Sequence, residues 1–385
     1  MAWPVLLLAR ELDIGGSERQ MTEIAKTLDR SRFNPHVGCF RPHGVRSAEL
    51  AARGVPIVHF PVDSLASMGA LRQAYRIANY IRRHKIRLVH TFDYPLTLFA
   101  IPVARWWTRA VVVSSQRSHR ALIPRKYRPL IRMTDRMADA IVVNCEYLRR
   151  HLEQDEGVSG KRIRLCYNGV DLEEFQPHAR PGETPEEPLT IGVVCALRPE
   201  KDIGTLIEAF AGIEAFAGIE AFAGIEAEAF ARIRRPKLRL LIVGSGSMLG
   251  ELRSQAEANR LTADCSFVPA SGDVARWLRA IDIFVLPSRS EALSNSLLEA
   301  MACGCCPVAT RIGGNPELVR HGENGMLFEP GDVGQLARIL ESLVENRTLR
   351  RHFAEKARSV AERFSIAASA RRMEEIYTEL IEASN

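Results

Sequence analysis

The chain has 385 residues, 46% apolar and 25% charged, the balance of a soluble globular protein with two ordinary domains. It holds no run of about 18 apolar residues, so no membrane-spanning helix is expected, and its eight cysteines show no disulfide framework. The net charge of +6 hides an asymmetry: residues 1–180 carry 29 Lys/Arg against 17 Asp/Glu, whereas 181–385 carry 23 against 29. A basic half points to an anionic partner: a membrane surface, an acidic glycan or a nucleic acid.

The first apolar run, VLLL at 5–8, is short and soon followed by Arg10, Glu11 and Asp13. That pattern does not suit a targeting segment, and a reducing cytoplasm is the expected setting. The run reads as a strand leading to Gly15-Gly16 and a helix start, an arrangement that admits a phosphate but that also merely caps structure. Further strands are expected at VVVSS (111–115), AIVVN (140–144), IGVVCAL (191–197), LRLLIVG (238–244) and IDIFVLP (281–287). Several are apolar at nearly every position, as strands covered on both faces should be. Amphipathic helical stretches alternate with them, which predicts an α/β fold of doubly wound parallel sheets.

The stretch 117–136 holds seven Arg/Lys against one Asp, with Leu122, Ile123, Tyr127, Leu130, Ile131 and Met133 interleaved. It reads either as a membrane-interface surface or as an amphipathic helix with a solvated face. No nucleic-acid-binding module accompanies the basic half, so nucleic acid is not expected. The four prolines of 176–189 mark a linker between two Rossmann-like domains, 1–178 and 189 onward. Ligands in such folds sit at the carboxyl ends of strands, so the reaction is expected in a cleft between the two. Residues 207–227 repeat IEAFAG three times with a partial fourth copy. The repeat suits a helix that exposes Phe216 and Phe222, either a tolerated duplication or a partner-binding arm.

The stretch SRSEALSNSLLEAMACGCCPVATRIGG at 288–314 carries the chemistry. A buried strand ends, a loop presents Glu291, and a helix N-terminus opens near Ser294, Asn295 and Ser296. Helix N-termini attract phosphate, while a carboxylate accepts hydrogen bonds from sugar hydroxyls. Phosphate and sugar at one site suggest a nucleotide sugar. Glu299 fits a sugar contact but also the fourth position of a capping box begun by Ser296. Cys303, Cys305 and Cys306 lack a second ligand pair and read as small buried hydrophobes. Arg198 and Lys201, in CALRPEKD after the first strand of the second domain, either clamp a diphosphate or are solvated surface cations. Gly244, Gly246 and Gly250 give G-x-G-x-x-x-G, which departs from the dinucleotide fingerprint and argues against a redox role. No Asp-x-Asp stands at a strand end, so no metal is required, nor any other cofactor: Lys, Arg and helix N-termini can meet the diphosphate charge.

These pieces in this order resemble glycosyltransferase family 4, retaining nucleotide-sugar transferases of the GT-B fold. GGSE (15–18) is similar to the family's N-terminal glycine loop, NGVD (168–171) with Phe175 to its interdomain motif, and PSRSEALSNSLLEAMACG (287–304) followed by GGNPELV (313–319) to its E-x7-E region. The resemblance implies a retaining hexosyltransferase that moves a sugar from a nucleotide diphosphate donor to a lipid-linked or glycan acceptor. Glu291 would contact the donor sugar, Glu299 the ribose, and Lys201 the leaving diphosphate. Gly16, Gly244 and the amides near Leu293, Ser294 and Asn295 would line the donor path. His90 falls where the family has a cleft histidine. The domain 189–365 would bind the donor, and a terminal helix at about 366–382 would cross back onto 1–178. The chain departs from the family at Ala196, where an arginine is usual, with Arg198 two positions later. It departs also at Gln116-Arg117, where many members carry a histidine, and at Ala292 for glycine. A nucleotide-sugar epimerase or hydrolase, and a non-catalytic sugar-nucleotide-binding protein, are the alternative readings.

Overall fold

The computed structural model describes residues 2–13, 15–65, 67–177, 188–222, 236–269 and 272–384, with backbone alone for 214–222. Most of the proline-rich linker, and the repeat from residue 223 with the side chains of Phe216 and Phe222, lie outside the described residues. The chain divides into two compact units, Met1–Gly169 with Phe364–Asn385, and Val170–Arg363.

Among the described residues the first unit holds a seven-stranded parallel sheet. Its strands are β1 (Trp3–Glu11), β2 (Phe33–Arg41), β3 (Ile57–His59), β4 (Leu88–Thr91), β5 (Val111–Gln116), β6 (Ala140–Val143) and β7 (Ile163–Leu165), in the order β3-β2-β1-β4-β5-β6-β7. The continuous apolar run of β1 has a direct cause. Val5, Leu7 and Ala9 enter one core with Met373, Ile376 and Tyr377 of the terminal helix Ile366–Ala383. Leu6 and Leu8 enter the opposite core with the helices Met68–Arg83 and Tyr94–Trp107. Alternate residues of a strand face opposite ways, so a strand covered on both sides must be apolar throughout.

The second unit holds β8 (Leu189–Val194), β9 (Leu238–Val243), β10 (Cys265–Val268), β11 (Ile283–Leu286), β12 (Cys306–Thr310) and β13 (Met326–Phe328), all parallel, in the order β10-β9-β8-β11-β12-β13. The helix Ile203–Phe222 follows β8. The first copy of the repeat belongs to its buried side, since Ile207, Ala209 and Phe210 pack in the core of this unit beside Leu206 and Ile213.

In each sheet the strand order turns back beside the first strand, between β1 and β4 and between β8 and β11. Loops leaving two such strands diverge to opposite sides and open a crevice at their carboxyl ends. These two switch points place the candidate site residues of each unit.

Candidate functional site

In the second unit the loops after β8 and β11 are stitched together at the switch point. Lys201 Nζ donates to Glu291 Oε1 at 2.5 Å, and Ser288 Oγ donates to the same oxygen at 2.8 Å. Both side chains of the ion pair are largely buried, with 20% and 10% exposure. Burial opposes the charge on Lys201, but the Glu291 carboxylate outweighs it and holds the lysine above its usual range. A second pair, Arg289 to Asp202 at 2.8 Å, lies one residue along, and Arg289 N donates to Glu200 O at 2.8 Å. Asp202 ends the short 3-10 turn Pro199–Lys201 at φ +50, so the turn that presents Lys201 is held by its neighbour's ion pair. The sequence reading brought out Lys201 and Glu291 but missed Ser288, Arg289 and Asp202. Arg198 is exposed and its side chain makes no ion pair among the described residues.

Two glycines set the backbone around this pair. Gly313 has φ +55, and a Cβ there would fall 2.1 Å from the carbonyl oxygen of Glu291. Gly314 N then donates to Ala292 O at 2.7 Å, so the bend of GGNPELV fixes the Glu291 loop from behind. Gly244, with φ +158, stands where a Cβ would meet Cys195 O at 1.9 Å. Its absent side chain lets the loop after β9 close on the loop that leads to Lys201.

Ser294 caps the helix Asn295–Ala302, its Oγ accepting from Leu297 N at 3.3 Å. The cap position is therefore Ser294, and the capping-box alternative for Glu299, which needs Ser296 at the cap, does not apply. Leu293, Ser294 and Glu299 are buried, while Asn295 is partly exposed at the first turn. Cys303, Cys305 and Cys306 are buried behind this helix, and burial pushes the thiols of Cys303 and Cys306 up to about 12.

The first unit's switch point is of a different kind. Gly16 opens the helix Gly16–Thr27, and the Glu18 carboxylate folds over Gly15 at that helix start. Asp93 caps the helix Tyr94–Trp107, accepting from Leu96 N at 3.0 Å and from Arg10 N at 2.5 Å. Burial raises its carboxyl to about 6, despite the two amides that favour the anion. A cavity of about 90 Å3 beside it is lined by Ser17, Asp93, Thr97, Ser115, Gln116 and Arg117, among others. Asp93 escaped the sequence reading, although Asp followed by Pro two residues later, ahead of an apolar run, is a helix-start signature.

His90 sits completely buried at the end of β4. Its Nδ1 is 2.7 Å from the Tyr377 hydroxyl and its Nε2 2.8 Å from Ser115 Oγ. Burial, with Arg117 nearby, lowers it well below the ordinary histidine range, so it is held neutral. Both ring nitrogens are thus engaged within the unit, and His90 ties the terminal helix to β5. Arg117 donates to Asn168 Oδ1 at 2.5 Å, and burial lowers it to about 10.

The basic stretch 117–136 is not one surface helix. It forms two 3-10 turns, Arg120–Leu122 and Arg125–Tyr127, then the helix Arg128–Met137. Arg120 is buried against Asp135 and Glu156, and Arg128 donates to the carbonyls of Ala121 and Ile123. Arg125, Lys126, Arg132 and Arg136 are exposed, together with Leu122, Leu130 and Met133. No described helix is long and apolar enough to cross a membrane.

Two parallel-sheet α/β units of this kind are the fold of the GT-B glycosyltransferases. The chain superposes on HepE of Anabaena, solved with UDP and glucose, with a TM-score of 0.81 over 97% of this chain and 99% of that one, at 22% identity. A glycosyltransferase of Rickettsia africae gives 0.80 over 99% of both chains at 19% identity. The sucrose-phosphate synthase of Thermosynechococcus elongatus gives 0.79 over 99% and 100% at 18% identity. The chain belongs to glycosyltransferase family 4: the model described as Glycosyltransferase Family 4 matches residues 14–174, and that described as Glycosyl transferases group 1 matches 175–360. The expected fold class and family are therefore borne out.

Among curated relatives, an exopolysaccharide phosphotransferase of Streptomyces coelicolor is 31% identical over 63% of this chain and 24% of its own length. The sulfoquinovosyl transferase SQD2 of Arabidopsis thaliana is 27% identical over 76% of this chain and 57% of its own. An N-acetyl-alpha-D-glucosaminyl L-malate synthase of Bacillus anthracis is 33% identical over 40% and 41%. The chain thus spans between a quarter and three-fifths of the length of these relatives.

Proposed function

We propose that this protein transfers a sugar, with retention of configuration, from a nucleotide diphosphate sugar to a lipid-linked or polysaccharide acceptor in cell-envelope or exopolysaccharide synthesis. The observation that carries the reading is the Lys201–Glu291 pair at the β8/β11 switch point, braced by Ser288, Gly313 and the Arg289–Asp202 pair. A diphosphate entering beside Lys201 gives the lysine a second anionic partner and frees Glu291 oxygens for sugar hydroxyls. The amides at the start of the helix Asn295–Ala302, near Leu293 and Ser294, supply further positive potential for phosphate, and Glu299 serves the ribose. UDP and glucose in HepE, and the sugar-transferring relatives, support a sugar-nucleotide donor.

As the bond to the sugar breaks, negative charge grows on the leaving diphosphate. Lys201, held cationic by its carboxylate neighbour, stabilises that charge, with the exposed Arg198 as a second cation. The departing phosphate takes the acceptor proton on the same face, so no covalent enzyme intermediate and no metal are invoked. On the acceptor side we assign Asp93 as the hydroxyl acceptor and Gly16 to the backbone path, with His90 as a positioning residue through Ser115 and Tyr377. The protein works at the cytoplasmic face of a membrane, which it touches through the exposed part of 117–136.

Lys201→Ala lowers transfer by at least about a hundredfold, the scale of losing one preorganised charge partner in the transition state. Full activity in that variant overturns the assignment. Radiolabelled donor with membrane acceptor gives labelled glycan if the reading holds. Free sugar or an epimerised donor, formed without acceptor, establishes the hydrolase or epimerase instead.

A further inference from the structure

The exposed large apolar side chains of this chain share one unit with a stretch rich in cations and poor in carboxylates. Among the described residues every exposed large hydrophobic side chain lies between Val45 and Met133, in the first unit. Residues 64–134 contain fourteen Arg/Lys and one acidic residue, Asp93, which caps a helix. An accident of composition would scatter such side chains over both units; isolated exposed residues need no explanation, but a shared location does.

Most of this surface lies outside 117–136. On the helix Met68–Arg83, Met68, Leu71 and Tyr75 are 81%, 60% and 63% exposed. With Asn79 and Arg82 they recur at three- and four-residue spacing, so they form one face about 21 Å long. The opposite face, through Ala70, Ala74, Ile77, Ala78 and Ile81, is already committed to the core. At the end of the exposed face Arg82 donates through Nε and Nη2 to Trp107 O at 3.0 and 2.6 Å. That joins it to the end of the neighbouring helix Tyr94–Trp107, where Trp106 is 70% and Trp107 42% exposed. An open cavity of about 750 Å3 there is lined by both tryptophans and by Arg82, Lys85, Arg87 and Arg109, with no carboxylate in its described lining.

Exposed indoles settle at the boundary between water and hydrocarbon, where the ring is covered and the N–H stays wet. Arg and Lys beside them gain from the negative potential of anionic headgroups. Aliphatic Met68 and Leu71 add nothing to contact with a polyanion in water, but they gain by entering the acyl boundary.

We propose that the exposed face of Met68–Arg83 and the Trp106–Trp107 corner form a docking surface for an anionic lipid bilayer, with headgroup phosphates received by Arg82, Lys85 and Arg109. The inference rests on the reading of this protein as membrane-facing, and it moves the main contact from 117–136 to this face.

The test uses the full chain and flotation with two vesicle types: phosphatidylcholine alone, and phosphatidylcholine with phosphatidylglycerol. Binding to the anionic vesicles that falls as salt rises is expected. Lys85→Gln with Arg109→Gln weakens it by about twenty-five-fold, taking about fivefold for each surface cation removed, and separately Trp106→Ser with Trp107→Ser weakens it by about tenfold or more through loss of the indoles. Leu130→Ser with Met133→Ser weakens it less than about threefold, a small loss for a side contact. UDP-induced thermal stabilisation, measured on every variant, reports folding and donor binding. Stabilisation like that of the parent chain keeps the vesicle result interpretable. Vesicle binding without stabilisation by UDP, GDP or ADP leaves the docking surface standing and removes the donor reading. Release by the Leu130/Met133 variant but not by the Trp106/Trp107 variant overturns this inference and keeps 117–136. Absence of vesicle binding, or equal binding to both vesicle types, overturns it outright.

Discussion

Replacing Asp93 by asparagine removes a carboxylate but keeps the helix cap, since asparagine caps as well as aspartate. The carbonyl oxygen of the amide can still accept from Leu96 N, now 3.0 Å from Oδ1, but the amide nitrogen in place of Oδ2 cannot accept from Arg10 N, so that hydrogen bond is lost. What disappears is an anion whose burial raises its pKa from near 3.8 to about 6. The folded-state pKa lies above the unfolded one, so the protonated carboxyl is the form the fold favours. Its contribution to stability is full below about pH 4 and is lost as pH rises through about 6. The difference of about 2.2 units corresponds to about 3 kcal/mol at neutral pH, an upper bound because the side chain keeps some access to water. The lost Arg10 N bond costs Asp93→Asn about 1–3 kcal/mol at every pH, so the variant is expected to fall below the parent chain near pH 4 and to gain on it by up to about 3 kcal/mol between pH 4 and pH 7. Urea unfolding of both proteins at half-unit pH steps measures this. A variant that does not gain on the parent chain between pH 4 and 6.5 refutes the reasoning. In the same variant donor binding should persist while transfer falls, because the proposed loss is of a hydroxyl acceptor. A folded variant that transfers at the parent rate removes Asp93 from the acceptor side.

Three further outcomes follow from particular contacts. Gly313→Ala forces a left-handed backbone on alanine and sets a Cβ 2.1 Å from Glu291 O. It should cost about 2 kcal/mol or more and lower transfer at least about tenfold, read by calorimetry and donor turnover, through displacement of the Glu291 loop. Arg120→Met leaves the buried carboxylates of Asp135 and Glu156 without their shared cation. A loss of about 3–5 kcal/mol in denaturant unfolding is expected, and parity with the parent chain would show that the two carboxylates find other partners. Glu291→Gln keeps the hydrogen bond from Ser288 but removes the charge that raises Lys201. It should lower kcat far more than it weakens UDP binding, since Lys201 stays available to the diphosphate. Equal loss in both would mean that Glu291 only holds the loop.

The strands legible in the sequence are those buried on both faces. β1, β5, β6, β8, β9 and β11 fall within or around their apolar runs, because burial on two sides demands apolar residues at consecutive positions. β2, whose segment FNPHVGCFR interrupts its apolar residues with asparagine, proline and histidine, gave no such pattern. His36 is buried there beside the Tyr80 hydroxyl at 2.7 Å, a partner 44 residues away that no local periodicity announces. β3, β7 and β13 have three residues each, too short for a period to show. IGVVCAL stops being a strand at Val194, because Cys195–Leu197 must accommodate the close passage of Gly244 on the way to Lys201.

The donor-side residues were readable because they cluster in short loops with charged or capping roles. Even so, the Lys201–Glu291 pair spans 90 residues, and only the adjacency of β8 and β11 brings it together. Spacing indicated each residue, and topology made the pair. On the first unit the relation is reversed. Asp93, Ser115, Gln116 and Arg117 stand at the ends of two adjacent strands, and their chemistry comes from burial, which a sequence does not display. His90 shows the consequence. Its position at a strand end suggests a reacting group, but Tyr377, 287 residues away, and Ser115 occupy its two nitrogens. A neutral histidine held in this way transmits position and not protons. Removing the Tyr377 hydroxyl with phenylalanine would free Nδ1 without emptying the core. If His90 acts on protons, that change shifts the pH profile of transfer; if it only holds β5 and the terminal helix, it lowers stability and leaves the profile in place.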